Sequence, residues 1–249
     1  MKKLILLLND YPSTGKSTLA RCFSHYLNRF GVHHQLKTLV EETDCEDVET
    51  LLDASRLTPR SFLEMLDESP ITVLEVTTGQ GDFFGKFYSN HGLDVVLEEA
   101  GVSLSVVLPV TSESESFDSV IESAEIYSDH AEYLIAHLIT SSYEDDDKVW
   151  DSSYAARVMD MFEAVELHIP EVGFQVEHEL HARHLELSDV LLDAELQESL
   201  GKDFTKWHAR VLGQVESARQ YLFGEAFRPT LQPKPLEVAK KTRGKARAA

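Results

Sequence analysis

The apolar positions of the chain alternate between two periods, and the alternation sets out the elements in order. "KLILLLN" (3–9) is a continuous apolar run, the pattern of a strand buried on both faces. "TLARCFSHYLNRF" (18–30) places Leu19, Cys22, Phe23, Tyr26, Leu27 and Phe30 at helical spacing, and Gly31 stops it. "HHQLKTLV" (33–40) reads as a second strand. Two helices are expected at 46–55 and 59–68, the second opened by Thr58-Pro59. "ITVLEV" (71–76) is a third strand, followed by the glycine-containing loop "TTGQGDF". Helix is expected over 84–100, strand over 102–110, an amphipathic helix over 112–130 and a fifth strand over 132–140. The acidic loop "SSYEDDDKVW" (141–150) precedes a helix near 150–162 and a short strand over 164–169. From 173 to 225 the pattern is helical, with a break at Gly201.

Strand and helix in alternation predict an α/β fold: three layers, a mostly parallel sheet with helices on both faces, plus C-terminal helices packed at its edge. The expected organisation is a core at 1–172, a helical extension of the same domain at 173–229, and a disordered basic tail at 230–249.

Charge refines this picture. The 249 residues sum to −20, yet residues 234–249 hold six basic side chains against Glu237, a net of +5 that leaves −25 on the rest. So acidic a body is a poor match for a broad nucleic-acid face, since phosphate neutralisation dominates such affinity. A protein partner or DNA is reached, if at all, through the tail; a solubilising tail is the plainer reading. No run approaches the ~20 apolar residues of a membrane span. "MKKLILLL" imitates a secretory leader, but its apolar run is short and Asn9-Asp10 follow at once. With only Cys22 and Cys45, and no disulfide or metal pattern, the expected compartment is the cytoplasm.

The chemistry concentrates in "NDYPSTGKST" (9–18). Gly15, Lys16 and Ser17 close a Walker A pattern, G-x-x-x-x-G-K-[ST], with Asp10 where the pattern wants its first glycine. The motif follows an apolar strand and opens a helix, the context in which backbone amides and the helix dipole hold phosphate. Lys16 is placed to reach β- and γ-phosphates, and the Ser17 hydroxyl to ligate Mg²⁺. Glu75, at the end of the third strand, can hold the metal through water, and Gly79 lets the backbone approach a γ-phosphate.

These residues resemble the deviant Walker A of the ParA/MinD-like ATPases, roughly K-G-G-x-G-K-[ST] after an apolar strand. Those proteins often lack glycine at the position of Asp10. Tyr11 stands in place of the signature lysine, Pro12 and Ser13 replace the two glycines, and Gly15, Lys16, Ser17 and Thr18 match. "ITVLEVTTG" (71–79) is similar to the family's hhhh-D-x-x-x-G segment, with Glu75 for the aspartate. "VVLPV" (106–110) is similar to its fourth strand, and "VWDSSYAARV" with "VELHIPEV" resembles plasmid-borne members. The resemblance implies ATP and Mg²⁺ as ligands, held by Tyr11, Pro12, Ser13, Thr14, Gly15, Lys16, Ser17, Thr18 and Gly79, with Ser17 and Glu75 at the metal. It implies slow hydrolysis, a nucleotide-dependent homodimer, and a role in partition, mobilisation or positioning of a plasmid or other cargo. The family's signature lysine reaches the partner's nucleotide, and a tyrosine supplies no such charge. The acid that would position water falls to Glu41, Glu42 or Asp44, with Asp44 preferred and a solvated turn as the competing reading. An adenine-reading asparagine is absent after the fifth strand; His137 and Thr140 are the candidates. Two other classes remain: a nucleotide-binding scaffold without turnover, and a P-loop small-molecule or nucleotide kinase, whose lid at 141–148 would be acidic where arginine is expected.

Elsewhere the plainer readings prevail. His178, His181 and His184 read as a polar helix face, Cys22 as core, and Trp150 and Trp207 as packing anchors.

Overall fold

The structure, a computed structural model, describes residues 1–41, 50–138 and 148–231. Its centre is a seven-stranded sheet in the order β3-β2-β4-β1-β5-β6-β7, with every pair parallel. The strands are β1 (Lys2–Leu7), β2 (Gln35–Val40), β3 (Leu51–Asp53), β4 (Ile71–Val76), β5 (Val102–Val110), β6 (Ala131–Leu138) and β7 (Val165–Ile169). The apolar run of β1 is continuous because both of its faces are covered. Leu4, Leu6 and Leu8 enter one apolar cluster, and Ile5 and Leu7 enter the other.

The first face is covered by α2 (Pro59–Asp67), α3 (Gly81–Asn90), α4 (Leu93–Glu99), α5 (Asp118–Tyr127) and α6 (Tyr154–Met161). The second is covered by α1 (Lys16–Arg29) together with α7 (Phe174–Arg183), α8 (Leu187–Leu192), α10 (Gly201–Ser217) and α11 (Arg219–Phe223), with α9 (Ala194–Ser199) between α8 and α10. The C-terminal helices therefore do not sit at the sheet's edge, as their sequence position suggested. Phe204, Trp207, Val211 and Val215 of α10 and Leu222 and Phe223 of α11 join Phe23 and Leu27 of α1 in one apolar cluster. Without them, that part of the face would lie open to water. Trp150 and Trp207 are buried, as anchors should be; the Trp207 indole donates to Pro170 O at 2.8 Å.

Three elements differ from the sequence pattern. Residues 51–53 form an edge strand on β2 where a helix over 46–55 was expected. "ETLLDAS" has helical propensity, but the Thr38 amide donates to Thr50 O at 2.8 Å, and pairing with the exposed edge of β2 overrides it. The helix expected over 84–100 is two helices, divided at Gly92, whose φ of 56° no continuous helix contains. The segment 112–130 opens with a 3₁₀ turn, Ser114–Phe117, before α5. At the C-terminal end, the amides of Thr230 and Leu231 donate to Phe30 O; residues 232–249 of the expected basic tail lie outside the described residues.

Among the described residues no helix is long and apolar enough to cross a membrane.

Candidate phosphate-binding site

β1 lies at the middle of the sheet between β4 and β5, and the loop after it emerges at the carboxyl ends of the strands, where parallel sheets place ligands. Asn9 fixes the start of this loop. Its buried side chain donates to Pro109 O at 2.7 Å and Ser116 O at 2.8 Å, and accepts from the Tyr11 amide at 2.8 Å. The loop is thereby tied to the end of β5 and to the turn before α5, and its first bend is an Asx turn.

Beyond that bend the backbone takes two left-handed residues, Ser13 at φ 59° and Gly15 at φ 73°. For serine this conformation is costly, by about 1 kcal/mol or more. Alternating right- and left-handed residues turn successive amides to one side and form an anion-binding concavity. Gly15 is also the N-cap of α1, and its left-handed φ strains any residue with a Cβ; that Cβ would lie 2.7 Å from the Leu138 side chain. Glycine is thus required at 15 by the fold as well as by the motif.

Lys16 folds back over the loop. Its ammonium donates to Asn9 O and, at 3.1 Å, to the Thr78 hydroxyl. Burial pulls its pKa below the usual lysine range, and the carboxylates of Glu75 and Asp10 oppose that shift. The Ser17 hydroxyl donates to the Glu75 carboxylate at the end of β4, so the two residues expected at a metal meet directly. A hydroxyl and a carboxylate side by side are hard oxygen donors suited to Mg²⁺ and to the waters it keeps. The Thr14 hydroxyl is buried and has no hydrogen-bond partner among the described residues, which leaves an open polar atom in the loop. Tyr11 is half-buried, Pro12 and Ser13 are exposed, and Thr18 lies in the first turn of α1. The residues of the loop therefore fit a nucleotide phosphate with Mg²⁺.

Gly79 lies in the loop between β4 and α3 with φ 86°, and a Cβ there would meet nothing within 4 Å, so conformation rather than space calls for glycine. Its amide donates to the Asp10 carboxylate at 2.9 Å, and the Gly81 amide donates to the same oxygen at 3.2 Å. In the sequence Asp10 stands out as a replaced glycine and, with Asn9, as the end of the apolar run; neither these two nor Thr78 carries a site role by motif. An Asn-Asp pair directly after a buried strand was the available signal for the first two.

Asp44, Glu42 and Thr140, and the acidic loop through residue 147, lie outside the described residues; Glu41 is exposed beyond β2. His137, near the end of β6, is 5.1 Å from both the Trp150 and His168 rings, and its Nε2 lies 3.4 Å from the Glu166 carboxylate. It belongs to a packed cluster on the β6–β7 side. Cys22 is buried, and burial pushes its thiol up to about 12, which suits core rather than nucleophile.

Beside the loop opens a cavity of about 560 Å³ lined by Asp10, Asp82, Asp118, Glu122 and Tyr127 among others. Burial, followed by the Asp10, Asp118, Asp82 and Glu125 charges, raises the Glu122 pKa. So acidic a lining makes the cavity itself a poor place for an anion.

No family model matches the chain, and no curated protein matches it. Among solved structures it is similar to the MinD cell division protein of Aquifex aeolicus, at 14% identity and a TM-score of 0.46 over 85% of this chain and 97% of that one. It is also similar to the MinC:MinD cell division protein complex of the same organism, at 12% identity and a TM-score of 0.42 over 85% and 96%.

Proposed function

We propose that the chain binds ATP with Mg²⁺ at the loop after β1 and hydrolyses it slowly, as a ParA/MinD-like ATPase. One observation carries this reading: Ser13 and Gly15 hold left-handed backbone directly before α1, with Lys16 folded over the loop and Ser17 on Glu75. An ordinary strand–turn–helix has no use for a left-handed serine and a buried lysine at the same bend.

In this account the amides of residues 12–17 hold the phosphates, and the N-terminus of α1 adds its positive end. Lys16 gives up its contact with the Thr78 hydroxyl and stabilises charge at the β- and γ-phosphates. Ser17 and Glu75 would hold the metal and its waters, and the Gly79 backbone would be the part of the β4–α3 loop that meets a γ-phosphate. The metal, when bound, neutralises charge on the transferring phosphoryl group. Tyr11, in the place of the resembled family's signature lysine, carries no charge, which fits slow turnover and argues against the family's usual homodimer geometry. Asp44, as the residue that positions water, completes the proposal. The cellular role is that of the resembled family, partition, mobilisation or positioning of a plasmid or other cargo, with a protein partner or DNA met through the basic tail. The same tyrosine favours one alternative, a nucleotide-binding scaffold without turnover.

Phosphate release from ATP separates the two. The ATPase reading predicts slow, Mg²⁺-dependent release that Lys16→Ala abolishes and Ser17→Ala reduces. ATP binding with no release above that of Lys16→Ala would leave the scaffold.

A further inference from the structure

Asp10 is placed where it does more than tolerate a missing glycine. Its Oδ1 accepts from the Gly79 and Gly81 amides at 2.9 and 3.2 Å, across sequence gaps of 69 and 71 residues. Gly81 is the first residue of α3, whose N-cap Gln80 makes no side-chain cap. A methyl group at Gly81 would lie 2.7 Å from Asp10 Oδ2, so the carboxylate rests directly against the start of that helix. A tethered anion therefore fills the helix's positive end, the kind of place that takes a free phosphate. Lys16, whose ammonium is held by Thr78 in the same loop, lies within the field of the Asp10 charge.

We propose that Asp10 is a built-in competitor for the terminal phosphate of a bound nucleotide: its carboxylate occupies the Gly79 and Gly81 amides at the start of α3, donors that a γ-phosphate would otherwise use, and so sets the preference between triphosphate and diphosphate. The inference rests on the proposed nucleotide site. A diphosphate, seated on residues 12–17, leaves the Asp10 contacts in place. A triphosphate must displace the carboxylate or face it, a like charge at hydrogen-bond range. Displacement frees the loop between β4 and α3 from the phosphate loop's own aspartate and ties it to the ligand, so the start of α3 reports which nucleotide is present.

The test is calorimetric titration of Mg²⁺ with ATP, or with ADP, into wild type, Asp10→Asn and Lys16→Ala. Asparagine keeps a neutral acceptor of the same shape and removes the charge. Asp10→Asn should raise ATP affinity about tenfold, the scale of one charge-assisted contact, and change ADP affinity by less than about twofold. An unchanged ATP-to-ADP ratio, or weaker ATP binding in Asp10→Asn, would overturn the proposal and leave Asp10 a structural cap, while loss of binding in Lys16→Ala would still uphold the nucleotide site. Equal binding by Lys16→Ala and wild type, or no binding by any protein, would overturn both. Should Asp10→Asn fold poorly, the wild-type amide resonances decide. Those of Gly79 and Gly81 should move with a non-hydrolysable triphosphate and stay with ADP; failure to move at saturation counts against the proposal.

Discussion

Replacing Asn9 by alanine tests the base on which the phosphate loop stands. The side chain is 2% exposed and makes three hydrogen bonds, two as donor to Pro109 O and Ser116 O and one as acceptor from the Tyr11 amide. Alanine removes all three and takes the Asn9 partner from two carbonyls and an amide. At a net of about 1 kcal/mol per bond, the loss is about 3 kcal/mol, rising if the stranded groups stay dry. For a domain of this size that lowers Tm by about 6–12 °C. Urea unfolding at constant slope is the assay, since a changed midpoint with an unchanged slope isolates stability. Because Lys16 contacts the Asn9 backbone carbonyl and the Thr78 hydroxyl, the lysine keeps both partners in the variant. Phosphate affinity should nevertheless fall with stability, as the amides of residues 12–17 lose their fixed register to β5. A loss below about 0.5 kcal/mol, the level of an ordinary surface change, would refute the view that Asn9 anchors the loop.

Two further predictions concern buried charge. The Lys3 side chain is almost wholly buried and ion-paired with the half-exposed Glu132, and burial lowers its pKa against the pull of that partner. Glu132→Gln strands the ammonium and should cost about 1–3 kcal/mol, whereas Lys3→Met should fall within about 1 kcal/mol of wild type. A lysine lowered in the fold binds fewer protons there than when unfolded, so Glu132→Gln should regain stability as pH rises toward 10.5; a flat alkaline profile would count against this. His208 lies beside the Phe204 ring, and burial, then the His25 and Arg29 charges, lower it to about 4. The unfolded chain takes up that proton first, so the stability His208 contributes is complete above pH 6.5 and is lost as pH falls through about 4. His208→Leu should flatten unfolding free energy across this window, and an unchanged slope would show that other groups govern it.

What the sequence made legible was whatever had a local cause. The apolar run at 3–9 and the glycine, lysine and serine at 15–17 force a strand, a tight left-handed bend and a helix start within fifteen residues. Glu75 was legible as an acid at a strand end, and its meeting with Ser17 follows once β4 pairs with β1 in register, Leu7 opposite Glu75. Asn9 and Asp10 act through partners about 70 to 107 residues away, and nothing in their own neighbourhood announces those partners. The edge strand at 51–53 was hidden by its own helical propensity, which only the open side of β2 overrides. The helical faces of α10 and α11 were visible, but the surface they cover depends on how the chain returns from β7.

The central claim is that the loop from Asp10 to Ser17 binds the phosphates of ATP. Its most direct test is calorimetric titration of ATP with Mg²⁺ into wild type and Lys16→Ala at matched salt. The account predicts saturable one-site binding by wild type and a loss of about 10- to 100-fold in Lys16→Ala, the scale of a charge-assisted contact to phosphate. Equal binding by the two proteins, or no binding by wild type, would contradict it.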